Sequence, residues 1–168
     1  MLLCGMLLTA LCVTVSAADA APEWKAGVAA VDITPSGPLW MAGYAARTEP
    51  ANGTIHPLWV KALALEDAAG NRALLVTSDI LGYPKAVSDR LLARFEKEAG
   101  LRPDQVILNS SHTHSGPVVD GSLMCIYPLD DTERAKIRAY TESLEEKTVA
   151  AGLQALAALA PARLEAGA

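Results

Sequence analysis

Basic runs are missing from this chain. Its 14 Lys and Arg are scattered among 19 Asp and Glu, for a formal net charge of −5, and no segment could neutralise a line of phosphates, which argues against nucleic acid as a partner. Aromatic residues are few, 5% of the chain with Phe95 the sole Phe. No aromatic cluster or basic amphipathic face therefore marks a module built to lie on a lipid or polysaccharide surface. Cysteine is equally sparse, with Cys4, Cys12 and Cys125. The first two fall in a removable amino-terminal segment, so the mature chain would keep Cys125 alone and could form no internal disulfide. With no second Cys at ligand spacing, Cys125 reads as a small buried or loop thiol. There is no internal repeat and no low-complexity linker. What remains is a globular composition, 51% apolar and 20% charged over 168 residues, enough for one domain with a sizeable core.

Residues 1–20 read as a secretory signal peptide. An apolar stretch from Leu2 to Val15 is followed by small residues, with Ala18-Asp19-Ala20 as the cleavage site, and the stretch is too short to span a bilayer comfortably. No Lys or Arg precedes it, which is atypical of such signals. The expectation is an exported protein, periplasmic or secreted, whose working part is residues 21–168.

Beyond the signal, "WKAGVAAVDITPSG" predicts a strand from about Lys25 to Ile33, stopped by Pro35 and Gly37. A second strand, residues 58–67, turns through Ala68-Ala69-Gly70-Asn71 into "RALLVTSD", whose continuous apolar centre predicts a strand covered on both faces. The period then changes. "PKAVSDRLLARFEKEAG" opens on Pro84, places Val87, Leu91, Leu92 and Phe95 on one helical face and stops at Gly100. "DQVILNSS" predicts another short buried strand leading into His112, and a second helix spans about Thr132 to Leu159, ended by Pro161. The fold class is α/β, a mixed sheet with βαβ units, since strand, helix and strand from Arg72 to Ser111 imply two parallel neighbours.

That topology locates the candidate site. In open α/β sheets, sites form beyond the carboxyl ends of strands, and those ends carry Ser78-Asp79 on one strand and His112-x-His114 on the other. If residues 111–114 stay extended, both imidazoles project to one face and could meet one ion; if the chain turns at His112, only one can. A zinc site needs three or four N, O or S ligands, so the rest would come from Asp79, Asp32, His56 or residues outside this chain. The plainer alternatives stay open. The two histidines could be polar loop residues after a strand, although Ser115-Gly116-Pro117 forces a turn there. Asp79 could cap a loop or the helix at Pro84, or else hold a ligating imidazole in one tautomer. His56 reads as a loop residue, and Asp32 as the Asx-type acceptor of the turn before Thr34-Pro35. Asn52-Gly53-Thr54 and Asn109-Ser110-Ser111 match the glycosylation pattern, the second lying too near a buried strand to be accessible.

Taken in order, "AGVAAVDITP", "MAGYAAR", "HPLWVKALALED", "LLVTSDILG" and "NSSHTHSGP" resemble the amino-terminal part of the neutral (non-lysosomal) ceramidase family, over nearly all of residues 26–168. "HTHSGP" is the most specific element. The resemblance implies a secreted or periplasmic zinc (Zn2+) amidase that cleaves the N-acyl bond of ceramide. It implies that His112 is a zinc ligand and His114 a neighbour that contacts substrate or attacking water and moves protons. The other zinc ligands, a serine, a substrate-binding arginine and a carboxy-terminal domain of that family lie beyond the region covered. By the resemblance, residues 21–168 are the incomplete amino-terminal portion of a larger catalytic domain, inactive alone, whose lipid substrate would bring it to a membrane surface. Two alternatives are a non-catalytic exported binding module and another metal hydrolase using the His-x-His pair. Gly116 stands where a metallo-β-lactamase-like site would want Asp, and an amidohydrolase barrel would place its H-x-H nearer the first strand.

Overall fold

A computed structural model describes residues 24–165. The segment read as a signal peptide, with Cys4 and Cys12, lies outside the described residues. Among these residues five strands and two α-helices follow in chain order: β1 (Trp24–Asp32), β2 (Trp59–Asp67), β3 (Arg72–Ser78), α1 (Lys85–Ala99), β4 (Val106–Ser110), α2 (Asp131–Ala157) and β5 (Ala160–Ala162). The strands form one sheet in the order β4-β3-β2-β1-β5. Antiparallel pairing joins β1 to β2, β2 to β3 and β1 to β5, whereas β3 and β4 run parallel, with Leu74 opposite Val106 and Ser78 opposite Ser110. The sheet is mixed, and α1 is the crossover between its two parallel strands.

Local chemistry accounts for the boundaries. The turn between β2 and β3 is held by Asp67, whose carboxylate accepts from the backbone N–H of Ala69 and Asn71 and from the Asn71 side chain. The α1 helix begins after Pro84, which stands at the cap position with ψ 148° and so outside the helical range, and ends where Gly100 takes the left-handed conformation at φ +64°. From there Gly100 N–H reaches the Glu96 carbonyl and Leu101 N–H the Phe95 carbonyl, satisfying groups the helix end would otherwise leave unpaired. In α2, Asp130 is the cap: its side chain accepts from Glu133 N–H at 2.7 Å. The helix therefore starts one residue before the sequence reading placed it. It ends at Ala157, and Pro161 sits in β5, where an edge strand tolerates a residue without N–H.

Packing separates the two faces of the sheet. Val60, Ala62, Ala64, Leu74, Val76 and Val106 turn toward the buried α1 residues Val87, Leu91 and Phe95 and the α2 residues Leu144, Val149, Ala151 and Ala155. Burying the Val, Leu and Phe side chains among them contributes about 1.5–3 kcal/mol each, and the inward-facing set fixes the strand register. The opposite face stays open among the described residues. Val28 is 70% and Ile107 61% exposed, Ala73 and Asn109 are exposed, and Leu75 is only half-buried. Among the described residues β3 and β4 are covered on one face, and Asn109 is accessible there because it points to the other.

A second, smaller core underlies the loops at the carboxyl end of β3. Trp40, Ala42, Leu81, Val118, Tyr127, Leu129 and Ile137 pack together, with the Trp40 and Tyr127 rings 5.8 Å apart. This cluster ties the loop after β1 to the loop after β4.

Candidate metal and proton-transfer site

The parallel pair delivers both candidate segments to one edge. Ser111 N–H donates to the Ser78 carbonyl at 3.0 Å, prolonging the β3–β4 pairing by one residue. The chain then turns at His112, whose φ of +55° is left-handed, an uncommon conformation for a residue with a side chain. Of the two geometries open in the sequence, the turn is the one formed.

The turn carries His112 over the loop that leaves β3. Its Nδ1 lies 2.8 Å from the Leu81 carbonyl oxygen. A carbonyl can only accept, so Nδ1 bears the proton and Nε2 of the neutral ring keeps its lone pair. An imidazole held in this way through a backbone carbonyl is the usual arrangement of a metal ligand, and His112 is exposed at the surface of the described residues. The residue type, tautomer and access all fit a zinc ligand. They fit as part of a set, because no group of three or more His, Cys, Asp and Glu residues that could hold a metal occurs among the described residues.

His114 stands beside it, ring centroids 5.2 Å apart and planes 64° from parallel. Its surroundings come from a segment about 70 positions earlier in the chain. Ala42 N–H donates to the Gly116 carbonyl and Val118 N–H to the Trp40 carbonyl, at 2.9 and 2.8 Å, bridging Met41 to Pro117. Gly43, at φ +104°, brings its backbone so close that a methyl group there would overlap the His114 ring. The Tyr44 ring meets the His114 ring edge-on at 4.8 Å. Arg47 donates from Nη2 to the His114 carbonyl at 2.6 Å and lies 5.3 Å from the centre of the Tyr44 ring. In the sequence Gly43, Tyr44 and Arg47 belong to "MAGYAAR", and nothing local in that segment signals that it wraps a histidine so far downstream.

The remaining candidates sort by partner. Asp79 pairs with Trp59 in both directions: its N–H donates to the Trp59 carbonyl at 2.9 Å, and its carboxylate accepts from Trp59 N–H at 3.0 Å. Asp79 thus closes the ladder between β2 and β3, and the carbonyl that fixes the His112 tautomer belongs to Leu81. Asp32 accepts from Thr34 N–H at 2.7 Å, the Asx turn expected, and bonding to Thr34 lowers its pKa. His56 is exposed and lies in a cleft of about 1150 Å3 beside Ser111, Thr113, Ser115 and Asp79. Those alternate residues line the cleft and the two histidines do not, so His56 is set apart from the pair. Cys125 is an exposed thiol in a short 3-10 helix, Met124–Ile126.

Comparison with known proteins places this arrangement in a family. Residues 24–168 match the model of the neutral/alkaline non-lysosomal ceramidase family, N-terminal. The neutral ceramidase of Drosophila pseudoobscura pseudoobscura is 32% identical over 103 residues, 58% of this chain and 14% of that protein. The neutral ceramidase of Pseudomonas aeruginosa is 33% identical over 98 residues, 56% of this chain and 15% of that protein. Its crystal structure superposes with a TM-score of 0.67 at 28% identity, covering 85% of this chain and 23% of that one. The chain thus spans about a seventh of the curated relatives it matches. Its mixed α/β sheet is that of the amino-terminal part of the neutral ceramidase fold, and the chain belongs to the neutral/alkaline non-lysosomal ceramidase family.

Proposed function

We propose that this chain supplies the amino-terminal part of a zinc-dependent amide hydrolase that cleaves the N-acyl bond of ceramide or a related lipid amide, in an exported, periplasmic or secreted protein. The observation that carries the reading is the bond from His112 Nδ1 to the Leu81 carbonyl, which leaves Nε2 as the ligating nitrogen. Family membership supplies the substrate class, since the relatives matched are neutral ceramidases.

Zinc, when bound, would bring the pKa of coordinated water toward neutrality and polarise the amide carbonyl. His112 holds one ligand position without searching rotamers, because its ring is already fixed. His114 is the imidazole beside it, a side chain able to serve as general acid or base. The amine leaving an amide must be protonated before it departs, and an imidazole adjacent to the metal position suits that step. Residues 24–165 bring together fewer than the three ligands a zinc site requires, so the 168-residue chain alone is expected to hold zinc weakly and to be inactive.

The test uses the protein as its native source exports it. Its intact mass, its zinc content and its hydrolysis of a fluorescent N-acylsphingosine are measured, and the last two again after His112→Ala. Loss of both zinc and turnover is expected. Unchanged zinc content and turnover in His112→Ala would overturn the assignment, and zinc-dependent hydrolysis by the isolated 168 residues would overturn the incompleteness of the site.

A further inference from the structure

The two histidines are held by different means. His112 is oriented by a ring hydrogen bond, whereas His114 Nδ1 is buried with no hydrogen-bond partner among the described residues. The orientation of His114 therefore has to come from packing and from the backbone that carries it. Three walls meet its ring: the backbone of Gly43, the edge-on ring of Tyr44 and the ring of His112. Arg47 closes the arrangement. It bonds the His114 carbonyl at 2.6 Å, lies within cation–π range of Tyr44, and approaches the Met41 sulfur at 3.9 Å. One guanidinium thus links the backbone of His114 to the aromatic ring that flanks its side chain.

We propose that Tyr44 and Arg47 are positioning residues for the His114 imidazole, holding its ring in one orientation beside the metal position. The proposal rests on the proton-transfer role inferred above for His114. Its geometric content can be tested separately. The loop from Met41 to Arg47 has a foundation of its own: Gly43 N–H donates to the Tyr127 hydroxyl at 2.8 Å, and Trp40 and Ala42 are buried in the smaller core. Tyr44 is 58% exposed, so truncating it removes the wall without opening that core. Its hydroxyl makes no hydrogen bond among the described residues, so the ring itself is the working part and Phe should replace it. Lys at position 47 would keep the charge but not the planar fork that bonds a carbonyl while lying against a ring.

The experiment is nuclear magnetic resonance of the 168-residue chain with isotope-labelled histidine, whose three imidazoles are assigned by single His→Ala substitutions. Tyr44→Ala and Arg47→Met are expected to displace and broaden the His114 ring signals while leaving those of His56 in place. Tyr44→Phe should keep the wild-type His114 spectrum, and Arg47→Lys should fall between. In the exported protein, Tyr44→Ala and Arg47→Met should lower kcat roughly tenfold or more through misorientation, with bound zinc and KM unchanged. Unaltered His114 signals in both Tyr44→Ala and Arg47→Met would overturn the proposal, as would shifts of equal size at His56, which would report a general disturbance. A wild-type exported protein that neither binds zinc nor hydrolyses the amide, yet whose His114 spectrum still depends on Tyr44, would sink the proposed function and uphold the cradle.

Discussion

His112 and His114 sit two positions apart with ring centroids at 5.2 Å, yet the first is anchored by a hydrogen bond to the Leu81 carbonyl and the second by none at Nδ1. A ligand must present one lone pair in a fixed direction, and a bonded tautomer does that. The His114 ring is held instead by the shapes packed around it, those of Gly43, Tyr44 and His112. The division of labour proposed for the pair comes from the resemblance of its motif to the family, and the difference in anchoring is compatible with it.

Zinc content should separate the two roles. In the protein isolated from its native source, His112→Ala is expected to lose bound zinc, whereas His114→Ala should keep it and lose turnover by roughly 10²–10⁴-fold, the usual range for a general acid or base. Elemental analysis beside kinetics decides this, and loss of zinc from His114→Ala would reassign that residue as a ligand.

Gly27 and Gly152 should tolerate no side chain. A methyl group on Gly27 would overlap the Ala155 carbonyl oxygen and lie 2.8 Å from the Ala158 carbonyl carbon, both rigid backbone at the end of α2. At Gly152 the obstacle is the Phe95 ring, with Cζ at 2.8 Å, which can shift slightly. Overpacking of this kind costs about 1–3 kcal/mol. Denaturant unfolding should place Gly27→Ala at or above the top of that range and Gly152→Ala within it; equal and negligible costs would mean that α2 does not lie this close to β1.

The two faces of the sheet should respond unequally to truncation. Leu74, 1% exposed, is enclosed by the core, so Leu74→Ala is expected to cost about 2–5 kcal/mol. Ile107 on the neighbouring strand is 61% exposed, so Ile107→Thr in the 168-residue chain should stay within about 0.5 kcal/mol of wild type. Comparable losses at both positions would show that the open face is covered.

Acid should weaken the chain through its turn carboxylates. Bonds from Asn71 hold the Asp67 pKa below its ordinary value, and those from Thr34 do the same for Asp32. A folded-state pKa below the unfolded one contributes stability that is present above the unfolded value, about 3.9 for Asp, and is lost as pH falls through the folded value. Melting temperatures between pH 6 and pH 2 should therefore drop less steeply for the double variant Asp32→Asn, Asp67→Asn than for wild type. Parallel curves would remove these carboxylates from the acid response.

Much of the scaffold was legible because it is written in local signals. Pro84, Gly100 and the buried spacing of Val87, Leu91 and Phe95 marked α1, and a strand on either side of that helix implied the parallel β3–β4 pair that the sheet contains. The placement of His112 and Asp79 at one edge followed from that topology. Less legible were features set by partners far apart in sequence. Both helices lie on one side of the sheet, so among the described residues Ile107 and Asn109 face outward, a placement that the apolar runs in β3 and β4 do not signal.

By itself the sequence determined the elements, the parallel crossover, the family and the two histidines, because each rests on short-range periodicity, turn chemistry or a contiguous motif. Tertiary structure alone decided that His112 turns to the Leu81 carbonyl, that Asp79 bonds Trp59 instead, and that Tyr44 and Arg47 reach His114. Those contacts join residues from 20 to 70 positions apart. They depend on how the loops after β1, β3 and β4 close over a shared core, a geometry that no local pattern of residues encodes.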